Sequence, residues 1–139
     1  MLKLESIPWS LNFRKPSGTS RGILTEKPSW ILRINDPSDP HRHGIGECSI
    51  IPGLSPDNLE RIPIRLEEIS DALLGISRDE LPGKLSDLTE GFPAVRFGLE
   101  TALQDLESGG EGLLFPSPFT RGESGIPING LIWMGSKAE

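Results

Sequence analysis

The sequence predicts an α+β fold: a three-stranded antiparallel sheet followed by a helical bundle, with a final strand and helix start that look like the first unit of a different, β/α architecture. Three observations carry this. Apolar and polar residues alternate through the early part of the chain, broken only by short polar turns, whereas parallel strands would need crossovers of a dozen or more residues. From residue 62 onward the apolar residues recur at helical spacing, with prolines opening segments and glycines closing them. A further apolar stretch, Ile126-Pro127-Ile128-Asn129-Gly130-Leu131-Ile132-Trp133, then follows the helices with no obvious strand partner.

The first strand covers residues 2–14. Leu2 and Leu4 set one phase and Trp9, Leu11 and Phe13 the other, which predicts a bulge or break near Pro8. Residues 15–21, Lys-Pro-Ser-Gly-Thr-Ser-Arg, form a polar loop. The second strand spans about 22–34, with Trp30, Leu32 and Ile34 on one face and Ile31 and Arg33 on the other. Asn35-Asp36-Pro37-Ser38-Asp39-Pro40 is a turn, and residues 41–49 form the third strand.

Residues 50–54 are an apolar loop. Ser55 at an N-cap with Pro56 at the first helical position predicts a short turn of helix. Ile62, Leu66, Ile69 and Leu73 then mark a helix over 63–74, ended by Gly75, and Leu81, Leu85 and Leu88 mark another over 78–88. The clearest helix is 93–108, between Pro93 and Gly109-Gly110. Its stripe is Val95, Leu99, Ala102, Leu103 and Leu106, widened by Ala94 and Phe97. Gly98 inside it costs about 1 kcal/mol relative to Ala, which predicts a very close neighbour. Residues 111–125 read as loop, and 135–139 as the beginning of a helix. The domain division is therefore 1–125 and 126–139.

At 139 residues the chain is too short for a (β/α)₈ barrel, which needs roughly 250. A hydrophobic share of 35% with 16 Gly and 13 Pro predicts a small core with long irregular connections. The net charge of −6 argues against a nucleic-acid partner, because phosphate contacts need a basic face. Cys48, the one cysteine, leaves no internal disulfide and fits a reducing compartment. The acidic residue at position 5 and the absence of long apolar runs argue against a signal peptide and a membrane span, so the reading is a cytoplasmic protein with no membrane partner.

Four groups of residues invite chemical readings. Gly44-Ile45-Gly46 lacks the third glycine and following helix of a dinucleotide loop, and reads instead as a strand approached closely by another segment. His41, His43 and Cys48 fall on opposite strand faces and read as turn histidines and a buried thiol, not as a zinc set or a catalytic pair. Glu67 with Glu68, and Glu100 with Asp105, read as solvated helix faces, with Arg96 and Glu100 paired at i,i+4. Arg14, Lys15 and Arg21 form a small basic cluster that serves either as a solvated loop or as a lid meeting a carboxylate. The second option leaves room for a stand-alone anion-binding module.

Three segments together resemble the enolase superfamily. Phe92-Pro93-Ala94-Val95-Arg96-Phe97-Gly98-Leu99-Glu100-Thr101-Ala102-Leu103-Gln104-Asp105-Leu106 resembles the family's helix of Arg-Phe-Gly-Leu-Glu type. Gly44-Ile45-Gly46-Glu47-Cys48-Ser49 with Pro52-Gly53 resembles the Gly-x-Gly-Glu strand and loop of its N-terminal capping domains, and Ile126-Pro127-Ile128-Asn129 resembles its first barrel strand. The resemblance implies a capping domain plus that first strand. Its missing partner is the C-terminal barrel domain.

The implied activity is a Mg²⁺-dependent syn dehydration of a cyclohexadiene carboxylate in menaquinone biosynthesis, with racemase or epimerase members of the family as the alternative. In such enzymes a lysine removes a proton alpha to a carboxylate, and cations hold the charge that develops. The family's lysines and metal-binding acids lie beyond the first barrel strand, so no catalytic residue or Mg²⁺ ligand is assigned in this chain, and Lys137 is not assigned as a catalyst. The chain alone is expected to be inactive and to hold Mg²⁺ weakly. What carries over is a lid that excludes water and sets substrate preference: Ser17, Gly18, Thr19, Ser20 and Arg21 in one loop, and Ile51, Pro52, Gly53 and Leu54 in the other.

Overall fold

A computed structural model describes residues 1–19 and 22–130. Three strands, β1 (Lys3–Thr19), β2 (Gly22–Asn35) and β3 (His43–Ser49), form an antiparallel sheet in the order β1-β2-β3. A 3₁₀ turn (Leu59–Arg61) leads into α1 (Ile62–Leu73), followed by α2 (Leu81–Leu88) and α3 (Pro93–Ser108). α3 lies along β3 and reaches β2, α1 touches β1, and α2 packs on α3.

The register explains the two apolar phases of β1. Pairing runs unbroken from Lys3 opposite Asn35 to Asn12 opposite Glu26, so Pro8 sits in register opposite Trp30. An edge strand can carry a proline because one of its sides needs no donor. The bulge expected near Pro8 lies instead after Asn12, where residues 13–16 stand against Thr25 alone before Ser17 pairs with Leu24. Leu2 and Leu4 therefore point to the helices, while Ile7, Trp9, Leu11 and Phe13 occupy the outer face and stay exposed. Residues 15–19, expected as loop, continue β1, so the hairpin is paired almost to its tip. Ser20 and Arg21 lie outside the described residues.

β3 starts at His43, two residues later than expected, because a turn consumes the preceding segment. Asp36 accepts from the Ser38 amide at 2.9 Å and its hydroxyl at 2.6 Å, and the Asp39 amide returns to the Asp36 carbonyl. His41 belongs to that turn. On the inner sheet face the register aligns Leu4, Ile34 and Gly44 in one row, Ser6, Leu32 and Gly46 in the next, and Pro8, Trp30 and Cys48 in the third.

Ser55-Pro56 opens no helix: the Ser55 hydroxyl accepts from the Ile51 amide at 3.0 Å and closes the loop behind it. The 3₁₀ turn is capped by Asn58, whose side chain accepts from Glu60. α1 buries Ile62, Leu66, Ile69 and Leu73, the expected stripe. α2 begins at Leu81 rather than 78 because the Glu80 carboxylate holds the Ser77 amide and hydroxyl at 2.9 and 2.7 Å in a turn of its own. α3 has the expected bounds, opened by Pro93 and closed by Gly109 at φ +119°, with the Gly110 amide returning to the Asp105 carbonyl. Phe97 departs from the expected stripe and is 66% exposed.

The core joins Leu32, Ile34, Cys48 and Ile50 of the sheet side to the buried faces of the three helices. Each fully buried Leu or Ile there contributes about 1.5–3 kcal/mol relative to exposure. Beyond Ser108 the described residues form no helix or strand. Residues 126–130, expected to open a barrel strand, are exposed and irregular; the remainder of that strand, the following helix start and Lys137 lie outside the described residues. No helix among the described residues is long and apolar enough to cross a membrane.

Candidate functional site

Both segments expected to form a lid emerge at one end of the sheet. Ser29 of β2 pairs with Trp9 on one side and with Ser49, the last residue of β3, on the other. The Ile50 amide then bonds the Pro28 carbonyl at 3.1 Å, and β3 gives way to the 51–54 loop. β1 and β2 continue past this point as a two-stranded ribbon. The root of the ribbon and the 51–54 loop thus leave the sheet at the same end.

The individual residues differ in what they offer. Pro52, Gly53 and Leu54 are exposed and Ile51 is half-buried. The Leu54 and Ser55 amides both bond the Ile51 carbonyl, at 3.0 and 2.9 Å, and Gly53 takes φ +77°, which favours glycine. In the ribbon, Ser17 is only 5% exposed, so its side chain is not presented to solvent as a lid residue would be. Gly18 is half-buried, and Thr19 contributes backbone pairing with Gly22. Arg14 and Lys15 of the basic cluster are exposed on the bulged segment.

At the root of the ribbon, Leu11, Asn12, Phe13 and Lys27 line an open recess of about 250 Å³. Lys27 Nζ lies 3.6 Å from Glu47 Oε1, which also accepts from the Ser29 hydroxyl at 2.7 Å. The Ser29 hydrogen bond first, and the Lys27 ammonium second, hold the Glu47 carboxyl below its ordinary value against the opposing effect of burial. This end of the outer face presents apolar surface and one paired ammonium.

The other candidate groups are dispersed. His43 lies on the outer face, its Nδ1 3.5 Å from Arg33 Nη2, while Cys48 is buried on the inner face and His41 sits in the turn. Burial, then the neighbouring Asp57 and Glu47 charges, push the Cys48 thiol up to about 12, which makes it a packing residue and not a nucleophile. Among the described residues no three His, Cys, Asp or Glu side chains gather as a metal site would require. Glu68 pairs with Arg65 at 3.1 Å and Glu100 with Arg96 at 2.7 Å, as solvated faces should.

Asp105 corrects the expectation of a solvated face. It is 2% exposed, accepting from the Ile45 amide at 2.9 Å and the Gly112 amide at 2.8 Å. Its place one helical turn from Ala102, within the apolar stripe, was the available signal. Asp57 was missed as well: its carboxylate, 6% exposed, accepts from the Ala94 amide at 3.0 Å across the fold.

No family model matches the chain. The chain is 44% identical, over an alignment of 154 positions covering 92% of it, to the o-succinylbenzoate synthase of Desulfotalea psychrophila. The crystal structure of MenC from Desulfotalea psychrophila superposes over 99% of the chain with a TM-score of 0.78 and 34% identity. An enolase family member from Agrobacterium tumefaciens with homology to dipeptide epimerases matches 81% of the chain at TM-score 0.61 and 25% identity.

The chain belongs to the enolase superfamily.

Within the enolase superfamily its sheet and three helices match the N-terminal domain of MenC. The chain spans about two fifths of the length of these two relatives, 41% of the synthase and 43% of MenC. A more distant likeness, the o-succinylbenzoate synthase of Thermosynechococcus elongatus complexed with Mg in the active site, shares the fold at 22% identity and TM-score 0.57, over 75% of the chain and 30% of that structure.

Proposed function

We propose that this chain is the lid domain of an o-succinylbenzoate synthase, a hydro-lyase of menaquinone biosynthesis that dehydrates a cyclohexadiene carboxylate. The observation that carries the reading is the 44% identity to such a synthase along 92% of the chain. The 25% identity of the neighbour related to dipeptide epimerases gives the racemase and epimerase alternative less support. In this reading residues 1–125 form the cap, 126–139 begin the barrel, and the remaining length supplies the catalytic lysines and the Mg²⁺ ligands.

In this reading the Mg²⁺, which would hold the charge developing on the carboxylate when bound, belongs to the barrel. The cap's contribution is shape and dryness. The ribbon and the 51–54 loop, leaving the sheet at one end, close the barrel mouth, with Pro52, Gly53 and Leu54 facing the small-molecule carboxylate. By the family resemblance Gly18, Thr19, Ser20 and Arg21 are also assigned to the lid, whereas Ser17 is buried in the ribbon.

Turnover tests the proposal. The protein extended to the length of its relatives is expected to dehydrate the cyclohexadiene precursor with Mg²⁺, and the 139-residue chain is expected to show none. Racemisation or epimerisation without dehydration by the long form would replace the reading, and dehydration by the short chain would sink the division of labour.

A further inference from the structure

We propose that Asp57 is the positioning residue of the 51–54 loop, tying it to α3 so that it stands as a fixed wall of the lid; the inference rests on the reading of that loop as part of the lid. The loop is anchored at both ends. On its N-terminal side Ile50 is 1% exposed and its amide bonds the Pro28 carbonyl of the central strand at 3.1 Å. On its C-terminal side Asp57 is 6% exposed and its Oδ1 accepts from the Ala94 amide at 3.0 Å.

α3 needs this bond. Pro93, at its first position, has no amide hydrogen, and Phe92 before it supplies no side-chain cap. Ala94 is therefore an early orphan donor, and Asp57 reaches it from the far side of the loop. A carboxylate at this helix end also meets the favourable dipole. Between the anchors the loop closes on itself: the Ile51 carbonyl takes the Leu54 and Ser55 amides, and the Ser55 hydroxyl takes the Ile51 amide. Exposed Pro52, Gly53 and Leu54 thus ride on the rigid block of α3 and the sheet. The ribbon differs, since β3 ends opposite Ser29 and does not flank β2 beyond that point.

The second carboxylate oxygen, Oδ2, is buried without a protein partner among the described residues, so the charge is held there at a cost that a purely packing residue would avoid. Asparagine keeps the accepting oxygen and removes the charge.

Amide hydrogen exchange on the 139-residue chain decides the matter. For Asp57→Ala, exchange at Leu54 and Ser55 should rise about tenfold relative to α1 amides, the scale of a lost cap, and Asp57→Asn should restore slow exchange. Ser55→Ala, which leaves the anchor to α3 intact, should loosen the Ile51 amide while Ala94 stays protected. In the long enzyme the same Asp57→Ala change should raise KM more than it lowers kcat, with Asp57→Asn close to the parent. Unchanged exchange at Leu54 and Ser55, or a rise spread evenly over α3 and the sheet, would overturn the positioning role. Absence of dehydration in every long form, with the exchange pattern as expected, would instead overturn the functional reading and leave the anchoring intact.

Discussion

Gly46 of β3 and Gly98 of α3 lie back to back. A Cβ added to Gly46 would run into the Gly98 carbonyl oxygen, and one added to Gly98 would come within 2.8 Å of Leu32 Cδ1 and 3.0 Å of the Cys48 amide nitrogen. One row along, a Cβ on Gly44 would overlap the Ala102 carbonyl oxygen. The helix therefore rests on the strand's backbone with no side chain between them.

Substitution at this seam separates the two glycines. Gly46→Ala meets rigid helix backbone and should cost about 3 kcal/mol or more. Gly98→Ala meets in part a movable Leu32 methyl and regains about 1 kcal/mol of helix propensity, so the net loss should be smaller. Urea midpoints with unchanged slopes check the order; equal losses would count against the seam as described.

Asp105 ties α3 to β3 and to the chain leaving α3. Asp105→Ala strands the Ile45 and Gly112 amides at once and should lower stability by about 3 kcal/mol. Asp105→Asn retains one accepting oxygen and should cost less. Denaturant unfolding gives the loss, and faster exchange of the Ile45 and Gly112 amides shows where it falls.

Glu47 makes stability fall on the acid side. Its folded pKa lies below the ordinary 4.5, so its contribution is fully present above about 4.5 and is lost as pH drops through the lower folded value. With the side chain 42% exposed, solvent screening limits the contribution to at most about 1 kcal/mol. Thermal melts of Glu47→Gln should lie below the parent at pH 7 and approach it as pH falls below 4.5. A constant gap across that range would refute the pairing.

Cys48 should be inert in the folded chain. Its thiol, pushed up to about 12, stays protonated in the native state while the unfolded thiol ionises near 9.0. Folded stability is therefore undiminished below pH 9 and declines between about 9 and 12, as the unfolded state releases its proton first. At pH 8 a thiol reagent should label Cys48 only as fast as the chain opens, and immediately in denaturant.

The legible parts were those governed by neighbours in sequence. α3 announced both of its ends, because Pro93 pre-sets a helical φ and Gly109 accepts a left-handed one. The Gly44 and Gly46 pair signalled a close approach, and Gly98 signalled its other half. Misplaced boundaries arose where one side chain redirected the backbone: Asp36 delayed β3, Glu80 delayed α2, and Ser55 closed a loop instead of capping a helix. The family resemblance singled out the segments 17–21 and 51–54 but carried no information on which of their side chains face solvent, and Ser17 is buried.

By itself the sequence determined the element order, the helix stripes and the antiparallel pairing, since these follow from periods of two and 3.6 residues and from short turns. Tertiary structure alone decided which phase of β1 faces the helices, because both phases are apolar and only the register to β2 and β3 distinguishes them. It alone decided the roles of Asp57 and Asp105, whose partners Ala94 and Ile45 lie far away along the chain. Local periodicity carries no information about such partners; a buried carboxylate finds its donors only once the helices and sheet have closed around it.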